Sequence, residues 1–304
     1  MAYLKQMFPL HRNVPFSFLG FFSVYLAASA ALSGGRCAIE PKSLAGALSM
    51  ALFMLLLRVM DEFKDFEVDS RLFRDRPLVT GVVKKHDLAA LAYCILAALL
   101  LLNIFMNKTI VIAFLITLVY CSLMFKFFFW PKIKTSLILA LITHNPSAFL
   151  LQVYAMSFVL SDTVWRNRVP DLLLMCAMFW LPWTIWEVGR KIRAPEDENE
   201  YETYSNNFGP RGASAIVLSM IGIVLILAVA LLSRLDLGIY ALATGGIVLG
   251  PAAVAASVKI AGFIRKSVSQ RSNFRPVLEK FMVALHVAFS AAVIIGRGIV
   301  LGKT

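Results

Sequence analysis

Residues 44–69 read LAGALSMALFMLLLRVMDEFKDFEVD, and this stretch decides the fold. Up to Met60 it is apolar except for Ser49 and Arg58, long enough to form most of a bilayer-crossing helix, which needs about 20 such residues. Carboxylates then arrive at once, at the membrane edge. Asp61, Asp65 and Asp69 recur every fourth residue, while Glu62, Asp65 and Asp69 are spaced i, i+3, i+7. Either spacing puts the carboxylates on one helical face. Like charges in a stripe repel one another unless cations lie between them. Hard divalent cations such as Mg²⁺ prefer oxygen ligands of this kind and keep positions for water and phosphate oxygens. The stripe therefore suggests a place where a diphosphate is held. The plainer alternative is a solvated interfacial helix whose carboxylates pair with Arg58, Lys64 and Arg71.

The remainder of the chain agrees with a membrane setting. Of its 304 residues 59% are hydrophobic, and the mean hydropathy is +0.76, well beyond a soluble globular domain. Nine apolar stretches are long enough to span, at about 14–34, 44–60, 87–106, 109–129, 136–160, 171–189, 213–233, 237–263 and 277–300. The first is too long, and too poorly flanked, for a cleaved signal peptide. An all-α integral membrane protein of about nine helices is expected, as one domain over residues 1–304 with charged loops at about 58–86 and 187–212.

Net charge is +12, which might suggest nucleic acid, but the basic residues flank membrane spans and form no reader module. With nine spans, 22 of the 30 Lys and Arg fall on the side shared by the N-terminus and the loops after spans 2, 4, 6 and 8. By the positive-inside rule that side is cytoplasmic, which places a multi-pass protein in the plasma or inner membrane with its acidic loops inside. Attraction to anionic lipid or a diphosphate accounts for the charge, and no nucleic-acid partner is expected. The four cysteines (Cys37, Cys94, Cys121, Cys176) form neither a CxxC nor a Cys/His cluster, so neither zinc nor a disulfide framework is indicated.

Further candidates follow in chain order. Residues 1–13 form an amphipathic lead-in at the interface. Arg71, Arg74 and Arg76 lie just past the acidic stripe, where guanidinium groups can clamp phosphate oxygens bidentately. Span 4 ends in Tyr120 and Lys126, placed to donate a hydrogen bond and a positive charge to a leaving phosphate; an ordinary snorkelling lysine beside an aromatic girdle is the alternative. Inside span 5, Thr143-His144-Asn145-Pro146 is polar at a depth where polarity is costly. His144 and Asn145 either line a substrate pocket or satisfy carbonyls freed by a kink at Pro146. Span 6 delivers a second charged stretch, with Glu187, Arg190, Lys191, Arg193, Glu196, Asp197 and Glu198. Two acidic clusters on one face of a bundle can close around one cation–diphosphate assembly.

This arrangement resembles the UbiA-type intramembrane prenyltransferase superfamily over nearly the whole chain. Asp61, Glu62, Asp65 and Asp69 fall on its N-D-x-x-D-x-x-x-D motif, with Asp-Glu in place of Asn-Asp, and Arg76-Pro77-Leu78-x-x-Gly81 matches the segment that commonly follows. The second motif, D-x-x-x-D, is diverged: Ala194 stands at its first Asp and Glu198 at its last, and Glu187 is a candidate to take over part of that role. The resemblance implies a nine-helix bundle in which Mg²⁺ ions bind a prenyl diphosphate between the two motifs. Asp61, Glu62, Asp65, Asp69, Glu187, Asp197 and Glu198 would be metal ligands. Asp65, Asp69, Lys126, Tyr120 and His144 would serve the chemistry, and Arg71, Arg74, Arg76, Lys191, Arg193 and Asn145 would bind substrate. The implied reaction is ionisation to an allylic cation followed by transfer to an aromatic or lipid acceptor. Terpene cyclisation without an acceptor is the alternative within the superfamily. A transporter or silent lipid-binding protein is the alternative outside it, though no internal repeat supports that reading.

Overall fold

A computed structural model describes residues 2–33, 35–161, 163, 166–198, 200–266 and 273–301. A short α1 (Ala2–Met7) leads into α2 (Leu10–Ser33), β1 (Cys37–Ile39), α3 (Pro41–Lys64), α4 (Phe66–Leu72), α5 (Lys85–Asn103) and α6 (Lys108–Phe125). Then come α7 (Leu137–His144), α8 (Pro146–Leu160), α9 (Val169–Gly189), α10 (Tyr204–Arg234), α11 (Ile239–Arg265), α12 (Arg275–Arg297) and β2 (Ile299–Leu301). Counting α7 and α8 as one broken span, nine helices among the described residues are long and apolar enough to cross a membrane. The all-α expectation holds. The departure is a parallel pair of three-residue strands in which Cys37 faces Ile299, joining the chain near its two ends.

Helix α2 is central, packing against α3, α8, α9 and α12, while α11 lies along α12 and α10 along α9. Close approach to α3 depends on Gly46: a Cβ there would lie 2.5 Å from the Phe21 ring and 2.7 Å from that of Phe158. A dry polar clip ties α3, α5 and α8 together: the buried Asn103 amide donates to Ser49 Oγ at 3.0 Å and its oxygen accepts from Tyr154 at 2.7 Å. Each member is satisfied, as burial in a bundle requires.

Two breaks shape one end of the bundle. Span 5 is interrupted between α7 and α8, with Pro146 at the first position of α8, where its missing N–H costs nothing. The fourth span stops at Phe125, four residues short of the apolar run. Phe127, Phe128 and Phe129 then adopt φ of 50°, 51° and 56°. Left-handed backbone costs an L-residue about 1–2 kcal/mol, so a run of three is sustained by packing. It turns the rings of Phe127 and Phe128 onto His144, at centroid distances of 5.8 and 6.4 Å.

Candidate active site

The last turn of α3, the whole of α4, the α7–α8 break and the end of α9 meet at one mouth of the bundle. Lys64 reaches Asp61 at 2.9 Å, and its ammonium lies 5.6 Å from the centre of the Phe127 ring. Lys64 also feels the charges of Asp65 and of Glu187 from α9, while Asp61 feels Arg190 from the same helix end. Lower down, Phe73 meets Tyr201 edge to face at 5.9 Å. The two charged stretches expected to converge do so. Helix α1 covers the rim, with Gln6 Nε2 donating to the Asp75 carbonyl at 3.2 Å.

Most carboxylates here have a cationic partner within the chain. Glu62, with a side chain 1% exposed, is bonded by Arg58, and Asp69, 4% exposed, is bonded through one oxygen by Arg76. Asp65 differs. It closes α3 and opens α4, and among the described residues its carboxylate has neither a hydrogen bond nor an ion pair. Burial pushes its pKa above the ordinary carboxylate value; Lys64 pulls it down, and Asp61 and Asp69 push it further up. Asp69 follows one helical turn later, its N–H donating to the Asp65 carbonyl at 2.9 Å, so the two carboxylates share a face of α4.

Among the described residues no three His, Cys, Asp or Glu side chains lie close enough to hold a metal by themselves. Mg²⁺ does not require that, since it commonly takes one or two carboxylates and completes its octahedron with phosphate oxygens and water. A partnerless Asp65, with the second oxygen of Asp69 one turn away, fits one such ion.

The second acidic stretch is differently committed. Both oxygens of Glu187 are taken, one by Arg190 at 2.6 Å and the other by Lys191 at 3.0 Å. Both oxygens of Glu198 accept from Thr203 Oγ1, at 2.9 and 2.8 Å, and Ala194 is fully buried. Arg193 donates to the Asp197 carbonyl at 3.3 Å and lies with Lys191 against the Tyr201 ring. This half of the mouth presents cations and an aromatic face.

Neither a protein-family model nor a curated protein matches the chain by sequence. Solved structures do match. A UbiA homologue from Aeropyrum pernix K1 aligns with a TM-score of 0.66 at 14% identity, over 93% of this chain and 98% of that one. A structure of digeranylgeranylglyceryl phosphate synthase aligns with a TM-score of 0.64 at 18% identity, over 97% and 99%. The chain has the UbiA-type fold. Likeness at these identities establishes architecture, and the local geometry must carry the chemistry.

Within this UbiA-type bundle the remaining candidates fall in different places. His144 is at the mouth: its ring bonds Thr143 Oγ1 at 3.0 Å, packs on Phe127, and feels Lys64, Asp61 and Glu187. Tyr120 is adjacent, edge to face with Phe128 at 5.1 Å, but its hydroxyl donates to the Thr143 carbonyl at 2.8 Å. Asn145 is a brace. Its amide donates to Thr184 Oγ1 at 2.6 Å and its oxygen accepts from Trp180 Nε1 at 2.8 Å, pinning the α7–α8 break to α9. Lys126 is exposed, its ammonium 5.0 Å from the centre of the Phe125 ring. Arg71 and Arg74 are likewise exposed and, among the described residues, without an ion pair, and are thus free to approach an incoming anion.

Two residues escaped the sequence reading. Lys64 occupied a variable position inside the acidic motif and read as a neutralising charge. His286 lies in an amphipathic span as a lone polar residue. It is fully buried, with Nδ1 2.6 Å from Ser23 Oγ, its ring stacked on Phe179 at 5.5 Å, and Nε2 without a partner. The interrupted charge pattern D-E-x-K-D was the only available signal for the first; the second had none.

Proposed function

We propose that this protein ionises an allylic prenyl diphosphate at the Asp61–Asp69 mouth and transfers the prenyl group to a hydrophobic acceptor, aromatic or lipid. The supporting observation is a partnerless Asp65 carboxylate at a charged mouth of a UbiA-type bundle, where every neighbouring carboxylate of that helix edge is already bonded by a cation. One structure similar to this chain is of a protein named digeranylgeranylglyceryl phosphate synthase. In this reading the mouth faces the cytoplasm, in keeping with the asymmetry of Lys and Arg.

Asp65 and Asp69 would hold Mg²⁺, which when bound supplies Lewis-acid stabilisation of charge developing on the leaving diphosphate. The chain's own groups do the rest. Arg76 fixes Asp69 through one oxygen and leaves the other available. Arg71 and Arg74 attract the anion from solvent, and Lys64, Arg190, Lys191 and Arg193 set positive charge around its oxygens. The apolar bundle takes the prenyl tail and keeps water from the allylic cation. Rings of Phe127, Phe128, Tyr120 and His144 line this edge, and their faces stabilise positive charge. That aromatic set favours cyclisation to a terpene as the second reading.

The test uses purified full-length chain with Mg²⁺ and a panel of prenyl diphosphates, with and without a membrane-lipid or aromatic extract. Diphosphate release and the organic extract are followed by mass spectrometry. Turnover that requires the extract establishes the transferase, and a cyclic hydrocarbon or alcohol without extract establishes the cyclase. Silence under both conditions, from a folded protein, refutes the enzyme.

A further inference from the structure

Among the described residues, the carboxylates that the second motif offers a second divalent cation, Glu187, Asp197 and Glu198, all have partners within the chain. Glu187 has both oxygens bonded by Arg190 and Lys191, the Thr203 hydroxyl shares its one proton between the two oxygens of Glu198, and Ala194 contributes no ligand. Meanwhile the Lys64 side chain, 10% exposed, sits 2.9 Å from Asp61 with its ammonium against Phe127. Its other charged neighbours are Asp65 on its own helix edge and Glu187 across the mouth. A cation is therefore already present between the two acidic stretches, and it is covalently attached to α3.

We infer that this chain works with one divalent cation, on Asp65 and Asp69, and that Lys64 Nζ takes the place of a second one between Asp61 and Glu187. The inference rests on the diphosphate-binding reading above and gives it a stoichiometry. An ammonium is a compact point charge with three donors, so it neutralises the carboxylates in the free protein and turns a donor to a phosphate oxygen when the anion arrives. Arg190 and Lys191, held on Glu187, supply the guanidinium and ammonium groups on the opposite side. Binding of the anion then requires one ion from solution. Affinity for diphosphate should rise in proportion to the first power of free metal concentration.

Mn²⁺ and inorganic pyrophosphate are the probes, with full-length protein in detergent micelles. Bound Mn²⁺ is counted by electron paramagnetic resonance, and pyrophosphate binding is titrated calorimetrically at several Mn²⁺ concentrations. Wild type should bind one Mn²⁺ per chain. Lys64→Met should leave the count at one, because Glu187 stays bonded by Arg190 and Lys191, and should weaken pyrophosphate binding about tenfold at fixed Mn²⁺ through loss of the ammonium. Lys64→Arg should keep the count at one. Two Mn²⁺ in wild type or in Lys64→Met, or unchanged pyrophosphate affinity in Lys64→Met, overturns the inference while leaving the diphosphate reading intact. If Lys64→Met does not fold, the wild-type count and metal order decide alone. Neither Mn²⁺ nor pyrophosphate bound by folded wild type removes the diphosphate reading itself, and this inference with it.

Discussion

Asp65→Asn should make the protein more stable and inactive at once. In the ligand-free chain this carboxylate is partly buried, has no partner among the described residues, and stands between Asp61 and Asp69 on one helix edge. Burial and like charge raise its folded-state pKa above the unfolded value. The folded state therefore binds the proton more tightly. Its penalty is absent below the unfolded value, grows as pH rises from there through the raised one, and is complete only above it. An amide of the same shape removes the charge. Relief of one unsatisfied, partly screened charge is worth about 1 kcal/mol, in the range of gains seen when strained functional groups are replaced. For a chain of this size that is a rise in Tm of about 2 °C. Thermal unfolding of both proteins in the same detergent, without metal, from pH 4 to 8 measures it: the gap should be positive at pH 7 and shrink on acidification. Mg²⁺-dependent diphosphate release should fall by at least about 100-fold, since a metal ligand is lost. A variant less stable than wild type at pH 7 would mean Asp65 has a partner that the geometry misses. Full activity in a folded variant would remove Asp65 from the chemistry.

Other expectations follow from the same network. Arg58→Met leaves Glu62 buried and unpaired, costing about 3 kcal/mol, whereas Arg58→Met with Glu62→Leu should recover most of it; urea or thermal unfolding of single and double variants checks the pair. Asn145→Leu leaves the Thr184 hydroxyl without its amide donor and Trp180 Nε1 with only the residue-145 carbonyl, at 3.2 Å, and should cost about 1 kcal/mol, with a similar fractional loss of activity at every prenyl chain length, because the brace sets the α7–α8 break and not tail length. Ser23→Ala with His286→Phe should stay within about 1 kcal/mol of wild type and remain active, since the pair is removed together and Nε2 gains nothing now. Loss of turnover in a folded double variant would place His286 in the reaction.

What the sequence made legible was what periodicity and hydropathy control. Nine spans, the break at Pro146, and the meeting of residues 58–76 with 187–201 followed from apolar run length and from loop parity. Hidden features depend on side-chain partners distant in the chain. Nothing near Asn145 says that Trp180 and Thr184 will satisfy it, and nothing near Tyr120 says that its hydroxyl will go to Thr143. The stop at Phe125 was half visible: Lys126 marks it, but Phe127–Phe129 is as apolar as the helix before it, and their left-handed backbone has no signal in hydropathy. Strands β1 and β2 are three residues each, too short for alternation to register, and they pair across almost the whole chain.

Exposure sorts the acidic residues that the motif alone treated as equivalent. Ion pairs open to water are worth about 0–1 kcal/mol, so exchanging one for a metal or phosphate contact costs little. Buried pairs lose several kcal/mol when one partner leaves. Arg190–Glu187, at 34% and 27% exposed, and Lys64–Asp61, with the carboxylate 38% and the lysine 10% exposed, lie closer to the first kind. Arg58–Glu62, with the carboxylate 1% exposed, and Arg76–Asp69, at 4%, belong to the second. In the proposed reading Glu62 is scaffold, held by Arg58 to end α3 in a fixed place, and Asp69 would be a ligand fixed in advance by Arg76. In that reading Asp61 and Glu187 would give up their Lys64 and Arg190 partners to the anion as it enters. Glu at position 62, where the motif it resembles has Asp, fits this division: its side chain reaches Arg58 one turn back, an i, i+4 partner on the same helix.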